Sequence, residues 1–218
     1  MPSLTVENYV KMIYLICAQD ADHTAATGQI ATGLGVSPGT VTSMLKTLND
    51  SGLAVYRKHE GVQLTPAGEA LAVRMVRRHR LIELFLVRTL DMSWDEVHEE
   101  AEHIEHAMSD LLIDRIDAYL GYPAADPHGD PIPRADGTMP SPAGRSLAQC
   151  HAGDKFRLVR VLDQSPEFLK YLTESGLPLG AEGSVVANSD QAGTVTVQVG
   201  REKTTLGREA AKKILVAP

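Results

Sequence analysis

Apolar and polar positions alternate with different periods in different parts of the chain. Over residues 5–19, Val6, Val10, Ile13, Tyr14 and Cys17 recur at helical spacing and predict an amphipathic first helix. After a polar loop, Thr27 caps a short helix that Gly35 ends. Ser37-Pro38 then supplies an N-cap followed by proline at the first helical position. The helix it starts buries Val41, Met44, Leu45 and Leu48 and stops at Gly52. A short helix, a turn containing glycine and a second helix form the helix-turn-helix pattern. Residues 53–65 switch to a period of two and predict a hairpin, strand LAVYR, turn KHEG, strand VQLT, with Arg57, Lys58 and His59 at its tip. A basic hairpin directly after a recognition helix reads as the wing of a winged helix, placed to touch phosphates.

Thr65-Pro66 opens a long helix reaching about Leu90, with Arg74, Arg77, Arg78 and Arg80 along it and His79 and Glu83 at i,i+4. One short turn later, the box Ser93-Trp94-Asp95-Glu96 starts a helix expected to run to Tyr119. So tight a connection predicts antiparallel packing, which would bring His79 and Glu83 opposite His98 and Glu102. Residues 121–150 are rich in Pro, Gly and Asp and read as an irregular linker ordered at PHGDPIP. Beyond Cys150, FRLVRVL, SVVANS, TVTVQVG, KTTLG and KKILVA read as five short strands, with PEFLKYLTESG a short helix or turn, and predict a small SH3-like barrel. The expected fold is mainly α with a β tail: a winged helix-turn-helix domain over 1–73, a helical domain over 74–140, and a linker with an SH3-like barrel over 141–218. No repeat of 20–50 residues is evident.

Composition adds boundaries. The chain has 218 residues, 43% apolar and 22% charged, which is ordinary for a soluble globular protein. No apolar run approaches a membrane span, and the first residues lack a signal-peptide pattern. Cys17 and Cys150 have no CxxC spacing, which fits a reduced cytoplasm. The net charge of −7 argues against nucleic acid as a partner unless bases cluster locally or metal neutralises the acids. The charge is in fact concentrated. Residues 91–117 hold ten acids and one arginine, a local −9, so the remainder of the chain carries +2.

At about 100° per residue, His98, Glu102, Glu105 and His106 share one arc of that acidic helix. Glu99, Glu100, His103, Asp110, Asp114 and Asp117 point elsewhere and read as a solvated face. The arc continues as Leu112, Ile113 and Ile116, so it faces a core or a partner. Buried carboxylates need a compensating cation, and no Lys or Arg lies in the arc. A divalent metal fills that need, and Glu/His sets suit Mn, Fe, Ni or Zn. The plainer alternative, a surface helix with a run of acids, stays open at this point.

In this order, RHRLIE (78–83), VHEEAEHIEH (97–106) and HGDPIP (128–133), after a winged helix and before a barrel, resemble the diphtheria toxin repressor family of metal-dependent transcription regulators in its three-module form. The resemblance spans essentially the whole chain. It implies that the central module binds metal and dimerises, and that the homodimer represses from a palindromic operator in double-stranded DNA. It also implies two ions per subunit. One would be held by His79, Glu83 and His98, with Gln164 and Glu167 aligned to ligands lent by the barrel. The other would be held by Glu102, Glu105 and His106 with Asn8 of the first helix. Some manganese-type relatives recruit the loop that holds Asp126 and His128. Iron-responding members tend to place Cys or Met where Glu102 and Asn8 stand, whereas oxygen donors suit Mn2+. Manganese-responding members usually carry a carboxylate at the position of Asn8, and some another at Lys11. The departures leave Mn2+ favoured and Fe2+ as the alternative.

On this reading Ser37, Pro38, Gly39, Thr40, Thr42 and Ser43 face the major groove, while Lys46, Arg57 and Lys58 meet phosphates. Metal ties Asn8 to the acidic helix and selects one arrangement of the DNA-binding module. Two other classes compete. A metalloenzyme lacks support: H-E-x-x-H fails because Glu102 follows His98 at four residues, and Glu100–His103 is a single Glu-x-x-His without a second. The other alternative is a winged helix that recognises a protein or organic ligand, its acidic helix serving only as a dimer face. The favoured reading has no membrane and no organic substrate among its partners, and a cytoplasmic location.

Overall fold

The computed structural model describes residues 3–18, 22–141 and 144–218. It divides into two compact units, Met1–His79 with Pro133–Thr138, and Arg80–Ile132 with Met139–Pro218.

The first unit is built on α1 (Leu4–Cys17), α2 (Thr27–Leu34), α3 (Pro38–Asp50), the hairpin β1 (Ala54–Arg57) and β2 (Gly61–Leu64), and the start of α4 (Pro66–Leu90). Ser3 caps α1, its hydroxyl accepting the Val6 N–H. The expected end of this helix at Gln19 lies outside the described residues, and α1 ends at Cys17. The cap of α2 differs from expectation: Ala26 occupies it, and Gln29 Oε1 accepts the Ala26 N–H at 2.9 Å, so a returning amide replaces the Thr27 hydroxyl. Gly35 ends α2 in the left-handed region (φ 63°), as a C-terminal glycine should. In α3 Ser37 accepts the Thr40 N–H at 3.1 Å, and Pro38 takes the first position. β1 and β2 pair antiparallel from Ala54–Leu64 to Arg57–Gly61. A bridge from Ala25 to Val62 adds a third segment alongside β2. Val10, Ile13, Ile30, Val41, Leu45, Leu48 and Val62, all fully buried, form one core beneath the motif.

The second unit begins within α4, which continues unbroken to Leu90. Here the expected single helix over 94–119 is corrected. The Glu96 carboxylate accepts from the Ser93 amide (3.2 Å) and hydroxyl (2.6 Å), but this closes a turn ahead of the helix. Two helices follow, α5 (Val97–Ile104) and α6 (Asp110–Tyr119). Ser109 caps α6 by accepting the Leu112 N–H, a serine-aspartate start signal of the same kind as Ser37-Pro38. The break changes which side faces inward. Val97, Ala101 and Glu105 are buried, as are Ile113 and Ile116, while Leu112 is exposed and His98 stands at the rim.

The C-terminal segment forms a six-stranded antiparallel sheet in the order β3-β8-β4-β5-β6-β7. The strands are β3 (Arg145–Ser146), β4 (Lys155–Val161), β5 (Glu182–Ser189), β6 (Thr194–Val199), β7 (Glu202–Gly207) and β8 (Ile214–Ala217). The helices α7 (Pro166–Glu174) and α8 (Arg208–Lys212) accompany them. Three elements escaped the sequence pattern: β3 and the 3₁₀ turn Leu147–Gln149, both inside the stretch read as linker, and the five-residue α8. Register slips in β4 between Leu158 and Arg160 and in β5 between Val185 and Ala187 are bulges, the usual device for bending a small sheet toward closure. Phe156, Leu158, Leu169, Val185, Val197 and Ile214 anchor its core. Among the described residues no helix is long and apolar enough to cross a membrane.

Candidate metal centre and nucleic-acid interface

Buried charge gathers in a small part of the second unit. Glu83 of α4, Glu105 at the end of α5, and Asp126 and His128 in the following loop are all at most 3% exposed. Carboxylates so far from water must be compensated nearby. Glu83 faces two imidazoles. Its Oε1 lies 3.2 Å from His98 Nδ1, and its Oε2 lies 3.8 Å from His128 Nδ1. Donor atoms of Glu83, Asp126 and His128 lie within 4.8 Å of one another, a separation that one ion can bridge. His79, buried as well, stands one turn before Glu83 on the same helix, so its ring shares that face of α4.

The His128 ring shows how it is prepared. Its Nε2 lies 2.7 Å from the Trp94 carbonyl oxygen, which can only accept, so Nε2 carries the proton. Nδ1 has no hydrogen-bond partner and is turned toward Glu83 and, at 4.0 Å, toward Asp126. A backbone carbonyl that orients the ring through its other nitrogen is the usual companion of a metal-ligating histidine. The Trp94 indole stacks on the ring at 6.2 Å and 16°. Burial, with Glu83 and Asp130 as neighbouring negative charges, pushes the Asp126 carboxyl well above its usual range, against the pull of Arg80. A cation in this pocket would relieve that penalty. The donor set therefore fits a divalent ion.

The other expected ligands are distributed as follows. Glu102 is half-buried on α5, Glu105 is fully buried, and His106 Nε2 lies 3.4 Å from Glu105 Oε1. In the first unit, Asn8 Oδ1 is buried without a hydrogen-bond partner, an oxygen donor held out of water. Gln164 spends its amide on Asp130, donating from Nε2 to Oδ2 at 3.2 Å, and Glu167 is exposed in the first turn of α7. Glu167 is in none of the donor groups that gather among the described residues. Sequence reasoning passed over Arg80 and Asp130 as partners, although both sit inside the quoted motifs RHRLIE and HGDPIP. Trp94 acts through its backbone carbonyl, which leaves no mark on residue type.

The face of α3 is different in kind. Ser37, Pro38, Gly39, Thr40, Ser43 and Lys46 are exposed and Thr42 is half-buried. Part of the hydroxyl set is engaged locally: Thr42 Oγ1 donates to the Pro38 carbonyl at 2.9 Å, and Ser37 and Thr40 hydroxyls share a 2.9 Å bond. The exposed reading face is therefore narrower than its composition. A Cβ added at Gly39 would meet only Ser37 Oγ at 3.7 Å, so the fold leaves this position open toward any molecule laid on the helix. At the hairpin tip Arg57 and Lys58 are exposed, with Arg57 Nη1 3.5 Å from Glu60 Oε2, a solvated pair that can exchange its partner.

A winged helix with an open recognition face, carried in one chain with a nest of buried metal donors, defines a metal-responsive regulator. Comparisons with known proteins agree. Three family descriptions match in succession: "Iron dependent repressor, N-terminal DNA binding domain" over residues 1–62, "Iron dependent repressor, metal binding and dimerisation domain" over 65–134, and "FeoA domain" over 145–218. The iron-dependent repressor IdeR of Mycobacterium tuberculosis (strain ATCC 25618 / H37Rv) is 30% identical over 225 residues, covering 97% of this chain and 96% of that one. The HTH-type transcriptional regulator MntR of Lysinibacillus sphaericus (strain C3-41) is 40% identical over 116 residues, 53% of this chain and 81% of the relative. A solved manganese-dependent transcriptional repressor in complex with manganese superposes with a TM-score of 0.86 at 41% identity, covering 97% of this chain and 98% of that one. The manganese regulator SloR gives 0.77 at 33%, covering 97% of each chain. The chain belongs to the diphtheria toxin repressor family of metal-dependent transcriptional regulators.

Proposed function

We propose that this protein is a manganese-dependent repressor that binds a palindromic operator as a homodimer and controls genes of metal homeostasis in the cytoplasm. The observation that carries the metal half is His128 Nδ1, buried without a hydrogen-bond partner and turned toward Glu83 and Asp126 in a ring held by the Trp94 carbonyl. In this reading Glu83 serves both sides, with His79 and His98 toward one oxygen and His128 and Asp126 toward the other. Glu102, Glu105 and His106 form a second set with Asn8, so each subunit holds two ions. Gln164 is a positioning residue through Asp130, and Glu167, exposed on α7, is assigned to neither set. The bound ion would add positive charge among the buried carboxylates.

Every sulfur-free donor in both sets is an oxygen or an imidazole nitrogen, which favours Mn2+. The Fe2+ reading is kept alive by the 30% identity to IdeR across nearly the whole chain. The chain's own residues do the switching. Metal binding favours the arrangement of the DNA-binding module that fits two half-sites. Ser37, Pro38, Gly39, Thr40 and Ser43 approach base edges, with Thr42 tied back to the helix. Lys46, Arg57 and Lys58 neutralise phosphates. The donors serve sensing, and no catalytic step is assigned to them.

A gel-shift titration on promoter DNA from a metal-transport gene tests the proposal. Retardation is expected with Mn2+ and not with chelator, and Glu102→Ala should lose the metal response while keeping its fold. Equal retardation with and without metal would overturn it.

A further inference from the structure

We propose that the C-terminal barrel positions the metal-binding loop, with Arg160 of β4 holding the Asp126–His128 segment in its donor geometry by way of Asp130. The inference rests on the reading that Glu83, Asp126 and His128 hold an ion. It goes further by making a residue that touches no ligand a determinant of metal affinity.

The loop first closes on itself. Asp126 Oδ1 accepts the His128 N–H at 2.8 Å and the Asp130 N–H at 2.9 Å, and the Asp126 N–H donates to the Asp130 carbonyl at 2.9 Å. Ala125 bridges Pro131 across the neck. Asp126 and His128 therefore move as one piece with Asp130, and whatever fixes Asp130 fixes the donors.

That piece is seated on β4. Gly129 has φ 86°, and a Cβ there would overlap the Val159 carbonyl and the Arg160 backbone, so only glycine allows this approach. Val159 is the residue at which β4 slips register against β8, so the bulge and the seat coincide. The Val161 N–H donates to the His128 carbonyl at 2.9 Å. Arg160 Nε donates to Asp130 Oδ1 at 2.5 Å, and Gln164 Nε2 reaches Oδ2 at 3.2 Å. On the opposite side Arg80 of α4 donates to Asp130 Oδ2 at 2.9 Å and to the Pro131 carbonyl at 2.6 Å, with its Nε 3.6 Å from Asp126 Oδ2.

Two guanidinium groups thus share one carboxylate from two sides, one on α4 and one on the barrel. The Arg160 and Asp130 side chains are only 22% and 14% exposed, so the contact is poorly screened. Without Arg160, Asp130 keeps Arg80 and Gln164 but loses its tie to β4. The self-closed loop then shifts relative to Glu83, and Asp126 and His128 shift with it. Outer-shell partners of metal ligands commonly govern affinity by about 10- to 100-fold.

The test measures Mn2+ binding by calorimetry and electron paramagnetic resonance on the full chain, with thermal unfolding of the metal-free protein alongside. Arg160→Gln should weaken one of the bound ions by about 10- to 100-fold and leave the other at wild-type affinity. Arg160→Lys, which keeps the charge, should recover most of the loss, and Gln164→Leu should show a smaller loss at the same ion. Wild-type affinity in Arg160→Gln, with only the unfolding temperature lowered, would overturn the inference and leave Arg160 a purely structural contact. Asp126→Ala separates this from the underlying reading. If that variant binds as many ions as tightly as wild type, the ion reading fails. If it loses an ion while Arg160→Gln does not, only the positioning role fails.

Discussion

The face of α3 and the loop from Asp126 to Ile132 are both polar, but they handle polarity in opposite ways. The recognition face keeps most of its side chains in water, with the Ser37, Thr40 and Thr42 hydroxyls bonded only to one another or to the helix backbone. The loop keeps Asp126 and His128 out of water and binds nearly every polar atom it has to a neighbour. Among its buried side-chain nitrogen and oxygen atoms, His128 Nδ1 has no hydrogen-bond partner. A reader of many DNA contacts can be built from small exposed groups. A sensor of one ion has to be pre-shaped, because an incomplete buried set costs several kcal/mol per uncompensated charge.

The sharpest way to break this contrast is to remove the carboxylate that both imidazoles face. Glu83→Ala should take metal-dependent operator binding down to the non-specific level, a drop of about 10³-fold or more, as read by fluorescence anisotropy with Mn2+. Retained metal dependence would mean that Glu83 is not part of the sensor. Gly39→Leu attacks the other region. Its helical position has room for a side chain, so Mn2+ binding and thermal stability should stay near wild type while operator binding is lost. A variant that bound DNA normally would show that this face does not meet the groove.

Smaller effects sharpen the picture. Arg57→Gln or Lys58→Gln should weaken binding to all sequences alike and lower the slope of log affinity against log salt by about one for each phosphate contact. A change in sequence preference would instead place the wing tip at base edges. Ser37→Ala should cost about 1 kcal/mol of stability through its helix cap, measured by denaturant unfolding. The smallest expected effect lies outside both regions. Asp154 accepts from the His151 amide and pairs with Arg145 at 2.7 Å, which holds its carboxyl below the usual range. Its folded pKa is depressed, so its stabilisation is present above the unfolded value and fades as pH falls through the folded one. Asp154→Asn should therefore be slightly less stable than wild type near neutral pH and indistinguishable from it in strong acid.

Much of this was legible in residue order. The Ser37-Pro38 start, the Gly35 stop and the hairpin tip are local signals, and local signals fix local backbone. The division into winged helix, helical centre and strand-rich tail followed from changes in apolar period. What misled was the run from Trp94 to Tyr119. Its apolar positions continue in helical register through Ile116, yet the chain breaks at Glu105–Ser109, and Ser109-Asp110 was a start signal hidden inside a longer pattern. Buried against exposed acids could not be sorted by the arc alone for the same reason. The ties through Asp130 were out of reach altogether, since Arg80, Asp130 and Arg160 are far apart in the chain and meet only in three dimensions.

The central claim is that the Asp126–His128 loop holds a metal ion together with Glu83. A manganese-soaked crystal with anomalous scattering tests it most directly. The account predicts a peak bonded to His128 Nδ1 and to carboxylate oxygens of Glu83 and Asp126, with a second peak at Glu102, Glu105 and His106. A fully loaded protein with no peak beside His128 Nδ1 would contradict it.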